Sequence, residues 1–230
     1  APRILTWLLP VMDPARAAAE DSPLRAALAA DLDLSVSTLP QLEALSAAAR
    51  AQATTARLHL KVDTGMSRGG AMAEDLPALA AALRQAEDEG VVDVVGLWSH
   101  LSRADEPTSG STEQHLERYR QIVQEAGLRP SIHHLAATGG LLWHPDARMD
   151  LVRAGIGLYG LSPDPSVATS SELGLQPAMR LESALVQVKR IDAGQAVSYG
   201  GTWCAPTDRW VGLVPLGYSD GIPRAAGSTG

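Results

Sequence analysis

Apolar and polar residues alternate along this chain with two different periods, and the switches between them mark out its elements. Leu58, Leu60 and Val62 alternate with His59, Lys61 and Asp63, the period of two expected of a strand with unlike faces. Leu32, Leu34 and Val36 repeat the pattern around Asp33 and Ser35. Ile4 to Leu9 is a short apolar run ended by Pro10, and Val91–Ser99, Ser131–Ala137 and Leu151–Tyr159 read as three further strands. Between these runs the period lengthens. Thr38 and Gln41 have capping-box spacing, and Leu42, Leu45 and Ala49 continue as one helical face. Leu76, Leu79, Leu83 and Ala86 form a second stripe, stopped by Gly90, and Leu116, Tyr119, Val123 and Ala126 a third, stopped by Gly127.

Strands alternating with amphipathic helices predict a parallel sheet covered by helices. Six strands suit an open doubly wound sheet or six of the eight strands of a (β/α)8 barrel. No GxGxxG opens a helix, so a dinucleotide fold has little support. Lys61 to Arg68, His100, Thr138 and Arg153 fall at or just after strand ends, where a barrel enzyme assembles its active site. After residue 160 the pattern changes. A Pro-, Ser- and Gly-rich stretch reads as a linker, and Leu181–Val188 and Trp210–Pro215 read as strands with no helical stripe between them. The expected fold is α/β: a partial TIM-type barrel over residues 1–162, a linker over 163–176, and the start of a mostly-β domain over 177–230.

Composition narrows the function. The chain has 230 residues, 45% of them hydrophobic, which places it among globular proteins. A net charge of -7 argues against nucleic acid and anionic membranes as partners, and no apolar run approaches the roughly 20 residues of a membrane span. Cys204, the single cysteine, excludes an internal disulfide, reads as a small apolar filler and fits a cytoplasmic location. There are only two lysines, Lys61 and Lys189. Lys61 on a strand, followed by Arg68 in a loop punctuated by Gly65, Gly69 and Gly70, suggests an anionic ligand at that strand's C-terminal end. His133, His134 and His144, with Asp146 or Asp150, lack metal-ligand spacing, so no metal is expected.

Five ordered segments, LHLKVDTGMSRGG, GLWSHLSRADEP, MDLVRAGIGLYGLSP, VSYGGTWCAP and VPLGYSDGIPR, together resemble the alanine racemase family across essentially the whole chain. The resemblance implies a homodimeric, pyridoxal-phosphate-dependent isomerase with an N-terminal barrel and a C-terminal β domain. It would interconvert L- and D-alanine by two-base proton transfer and supply D-alanine for peptidoglycan. A serine or other small-amino-acid racemase, and a non-catalytic pyridoxal-phosphate-binding homologue, are the alternatives.

Carried over residue by residue, Tyr218 would be the catalytic phenol. Arg153 would face the pyridine nitrogen and His100 would lie beside the ring. Gly155, Ile156 and Thr138 would contact the phosphate, with Ala137-Thr138 standing where the family commonly has Asn-Ser. Arg68 would approach the substrate carboxylate, and Lys61 matches a lysine that is carbamylated in some members. The family's Schiff-base segment, similar to Val-Lys-Ala-Asn-Ala-Tyr-Gly, matches nothing in these residues. The resemblance therefore implies an internal piece that begins at the third barrel strand and is inactive by itself.

Overall fold

Five of the six expected strands pair in parallel: β1 (Leu5–Thr6), β2 (Asp33–Val36), β3 (Ala56–Lys61), β4 (Val92–Trp98) and β5 (Ile132–His134). The structure, a computed structural model, describes residues 2–226. Spatial order follows chain order from β1 to β5. Each strand is added on the same side, so the sheet has no reversal point of the doubly wound kind and forms part of a barrel wall. Leu58 and Leu60 of β3 are buried in the core shared with Leu42, Leu45, Leu79 and Leu83, while His59 and Lys61 point to the opposite, interior face.

Helices fill the crossovers. α1 (Pro14–Ala18) and α2 (Pro23–Ala29) precede β2, α3 (Leu39–Gln52) precedes β3, α4 (Leu76–Asp88) precedes β4, α5 (Ser111–Ala126) precedes β5, and α6 (Thr138–Trp143) follows it. The expected stripes of α4 and α5 are buried, apart from the partly covered Val123. At α3, Thr38 Oγ1 accepts from Gln41 N–H at 3.4 Å, but Gln41 Oε1 reaches back one residue further than a capping box, to Ser37 N–H at 2.8 Å. α1 and α2 are too short to show a stripe. Their signal is a cap followed by proline: Asp13 and Ser22 accept from Arg16 N–H and Leu24 N–H, with Pro14 and Pro23 opening the helices.

The sixth expected strand, Leu151–Tyr159, does not join the sheet. Asp150 N–H and Arg153 N–H donate to His133 O and Ala136 O at 3.1 and 2.9 Å, so the segment runs beside the continuation of β5. Gly155 then takes φ +49°, and the chain coils into a 3-10 turn over Gly155–Tyr159. A left-handed glycine at that point is incompatible with continuing a strand.

The chain divides into two compact units, Ala1–Ala178 and Met179–Gly230. Residues 163–176 belong to the first as a pair of turns, held by Ser162 Oγ donating to Ala168 O at 2.6 Å and Ser162 N–H donating to Ser170 Oγ at 2.9 Å. The second unit contains β6 (Gln187–Ile191), β7 (Ala196–Val197), β8 (Trp203–Cys204) and β9 (Arg209–Leu213). β6 pairs antiparallel with β9, and β7 with β8. The strand expected at Leu181–Val188 therefore lies later, because β9 ends at Leu213 and offers no partner beyond Val186 N–H. Cys204 is exposed rather than buried, since the β7–β8 ribbon is only two residues long in each strand and covers neither face.

Candidate active site

Inward positions of neighbouring strands bring polar side chains together on the interior face of the sheet. Trp98, at the end of β4, donates from Nε1 to Ser35 Oγ of β2 at 2.9 Å. It stacks on His134 of β5 with ring centroids 5.3 Å apart. Lys61 Nζ and the Arg153 guanidinium lie 4.7 and 4.8 Å from the centre of the same indole, a cation–π arrangement that orients both cations. Trp98 and His134 carried no expected role. Their signal was the period of two itself, which puts polar or aromatic residues at inward positions of a covered sheet.

The loop after β3 is rigidly seated. Asp63 Oδ1 accepts from Gly65, Met66 and Ser67 N–H at 2.7, 3.0 and 3.2 Å. Thr64, buried behind it, bonds Ser99 Oγ at 2.8 Å and His115 Nδ1 at 2.7 Å. This holds Arg68 exposed at the rim, with no hydrogen bond or ion pair among the described residues. Burial, and then the positive charges of Arg68 and Arg153, push the Lys61 ammonium below its ordinary pKa.

His100, Thr138, Gly155 and Ile156 line one cavity of about 360 Å³, together with Leu101 and Ala137. Arg153 adjoins it through His100. The Arg153 Nη1 donates to His134 Nδ1 at 2.6 Å and to His134 O at 3.3 Å. Its Nη2 reaches Ser99 O, Leu135 O and His100 Nδ1 at 2.9, 2.9 and 3.1 Å. Because an arginine can only donate, His100 Nδ1 accepts and the proton of that imidazole sits on Nε2. The guanidinium's remaining donor, Nε–H, has no partner among the described residues, and it is not among their buried unpaired atoms, of which there are none. It is therefore accessible to a ligand. Burial lowers the Arg153 pKa to about 10, so it stays charged at neutral pH.

These residues fit pyridoxal phosphate. Ala137 gives α6 no side-chain cap, so first-turn N–H groups beside Gly155 and Ile156 remain for an anion. The Thr138 hydroxyl donates its one proton to Ala154 O and accepts from Gly157 N–H at 3.2 Å. It thus fixes the Gly155–Tyr159 turn, and backbone N–H groups are the donors left for a phosphate.

Burial, then the charges of Arg153, Arg68 and Lys61, depress His100 from 6.5 to about 4. Burial foremost also lowers His59, and takes His134 down to about 2. All three are neutral at pH 7. As pH falls, the unfolded chain binds protons at these positions before the folded one does. Stability is expected to be full above about pH 6.5 and to fall as pH drops towards 4, as read by urea unfolding at a series of pH values. A flat profile from pH 7 to 5 would contradict these buried neutral imidazoles.

Tyr218, 74% exposed, sits in a 3-10 turn of the second unit whose Gly217 N–H donates to Asp220 Oδ2 at 2.9 Å. Tyr199 of the same unit is 92% exposed. Its predecessor Ser198 has φ 66° and ψ -171°, a region that is essentially glycine's own and costs another residue about 1–3 kcal/mol. Among the described residues no group of three or more His, Cys, Asp or Glu could hold a metal ion, and no helix is long and apolar enough to cross a membrane.

Residues 15–163 match the family model for the alanine racemase N-terminal domain, and residues 178–230 that for the alanine racemase C-terminal domain. Alanine racemase of Streptomyces coelicolor is 43% identical over 232 residues, covering 99% of this chain and 57% of that protein. The Thermobifida fusca enzyme is 44% identical over 226 residues, covering 97% and 57%. The solved alanine racemase of Streptomyces coelicolor A3(2) superposes with a TM-score of 0.90 at 44% identity, covering 99% of this chain and 58% of that one. Biosynthetic alanine racemase from Pseudomonas aeruginosa superposes with a TM-score of 0.80 at 35% identity, covering 98% and 58%. The chain thus spans a little over half the length of the curated relatives it matches. On both domain models and on relatives at this identity, the chain belongs to the alanine racemase family.

Proposed function

We propose that this chain supplies the barrel (residues 1–162), the connector (163–176) and the first part of the β domain (177–230) of a pyridoxal-phosphate-dependent racemase that interconverts L- and D-alanine. The observation that supports this most is the convergence of His100, Thr138, Gly155 and Ile156 on one cavity beside Arg153. Pyridoxal phosphate, when bound, acidifies the α-hydrogen of an amino acid joined to its aldehyde, so that the hydrogen can be removed near neutral pH. Arg153 would donate from Nε to the ring nitrogen without protonating it, because a guanidinium does not give up its proton there. N–H groups of Gly155, Ile156 and the first turn of α6 would hold the phosphate. Arg68 would orient the substrate carboxylate from the rim.

The β domain would contribute the phenol that moves the α-proton, from one subunit to the partner's barrel in a homodimer. The VPLGYSDG segment assigns that role to Tyr218. The strained Ser198 immediately before Tyr199 weighs for Tyr199 instead, since such strain concentrates at functional positions, and Tyr199 is the phenol we favour. The product would feed peptidoglycan synthesis in the cytoplasm.

Incubating the full-length protein and pyridoxal phosphate with L-alanine in deuterium oxide should give racemic alanine labelled at Cα, and L-serine should be turned over with a lower kcat/KM. Serine preferred over alanine would support the serine racemase instead. A bound cofactor with no exchange on either substrate would support the non-catalytic homologue. We further expect Lys61, with its depressed pKa and cationic neighbours, to carry a carbamate. Carbon-13 bicarbonate should then give a protein-bound carbamate signal that Lys61→Ala removes, and no signal in the unsubstituted protein would refute it.

A further inference from the structure

We infer that Asp33, His59 and His134 form a hydrogen-bond wire of fixed direction that aims the Arg153 guanidinium. The wire runs across the interior of the sheet from the start of β2, through the middle of β3 and the end of β5, to the cavity. Its direction follows from its two ends. Arg153 can only donate, so His134 Nδ1 accepts at 2.6 Å and its proton sits on Nε2. That proton is given to His59 Nδ1 at 3.0 Å. His59 then carries its own proton on Nε2, directed at Asp33 Oδ2 at 3.3 Å. A carboxylate can only accept, so no link can reverse without breaking another.

The far end is anchored. Asp33 Oδ2 and Oδ1 each accept from a guanidinium at 2.7 Å, those of Arg3 and Arg57. The middle is built for its occupant. A Cβ on Gly96 of β4 would lie 2.0 Å from His59 Nδ1, so the strand needs glycine where the imidazole crosses it. The register between β3 and β4 also shifts at Leu58/His59, a bulge that re-aims a side chain.

Among the described residues, Arg153 itself has only carbonyl and imidazole hydrogen-bond partners. The wire therefore supplies a polarised acceptor without neutralising the arginine by a direct carboxylate, and the free Nε–H stays an electropositive donor. Asp33, His59 and His134 are positioning residues, since none of them lines the cavity.

The test uses the full-length protein labelled with nitrogen-15 histidine. At neutral pH both His59 and His134 should be neutral rings protonated at Nε2 and bare at Nδ1. A protonated Nδ1 on either ring overturns the wire. His59→Leu should release His134 into a mixture of tautomers, whereas His59→Gln, whose amide can accept and donate in the same order, should keep the single one. An unchanged His134 spectrum in His59→Leu would also overturn it. The consequence for catalysis rests on the proposed contact of Arg153 with the cofactor. His59→Leu should lower kcat about tenfold, the loss typical when an outer-shell partner is removed, with little change in KM and recovery in His59→Gln. A shifted tautomer with unchanged kcat would support the wire and contradict that contact, so the two failures are distinguishable.

Discussion

Tyr199→Phe is expected to lower kcat for alanine racemisation by about 100- to 10,000-fold, the range over which positioned general acids and bases act. Phenylalanine keeps the ring and removes only the hydroxyl that carries the proton. Tyr199 is 92% exposed within the described chain, so losing the hydroxyl removes no buried hydrogen bond and the fold should be unaffected. Ser198 gives the physical reason to choose this phenol. A serine held at φ 66°, ψ -171° persists only where the surrounding structure imposes it, and what it fixes is the direction in which Tyr199 leaves the chain. Tyr218 stands in an ordinary 3-10 turn closed by Asp220. Tyr218→Phe is expected to lose less than tenfold. The reverse ranking, with Tyr218→Phe the more damaging, would return the role to Tyr218.

Arg153→Leu is expected to cost about 3–5 kcal/mol of stability, because it unpairs several buried acceptors at about 1–3 kcal/mol each. Leucine leaves the carbonyls of Ser99 and Leu135 and the Nδ1 atoms of His100 and His134 without this donor, while His134 O keeps Ser99 N–H at 3.2 Å. Each unpaired buried acceptor carries its own desolvation cost. Arg153→Lys keeps the charge and surrenders the fork geometry that serves several acceptors at once, so an intermediate loss is expected. Pyridoxal phosphate should bind at least tenfold more weakly to Arg153→Lys, about 1.4 kcal/mol. Urea unfolding and cofactor titration read the two effects separately. Unchanged cofactor affinity would remove Arg153 from the ring.

The parts of the fold legible in the sequence are those whose burial is one-sided. Leu58 and Leu60 face helices while His59 and Lys61 face inward, so β3 announced itself by alternation. Leu76, Leu79, Leu83 and Ala86 are all buried on one face of α4, and the stripe gave the helix directly. α1 and α2 were missed because five and seven residues complete too few turns for a periodic signal. Leu151–Tyr159 misled because its apolar residues do not serve a core. Val152, Ile156, Leu158 and Tyr159 are exposed among the described residues, and Gly155 decides the backbone there.

At the site, residue types at strand ends and the family motifs pointed to His100, Thr138, Arg153, Gly155 and Ile156. Partnership was not legible. Nothing in the local sequence says that Asp33 and His134, 101 positions apart, meet through His59. That contact is a property of register between strands, which period alone leaves open.

A crystal structure of the full-length protein with pyridoxal phosphate tests the central claim most directly. The account predicts the phosphate against the N–H groups of Gly155 and Ile156 and the ring nitrogen within hydrogen-bond reach of Arg153 Nε. A cofactor bound away from the cavity at the ends of β4 and β5, or one whose ring nitrogen meets a carboxylate instead of Arg153, would contradict it.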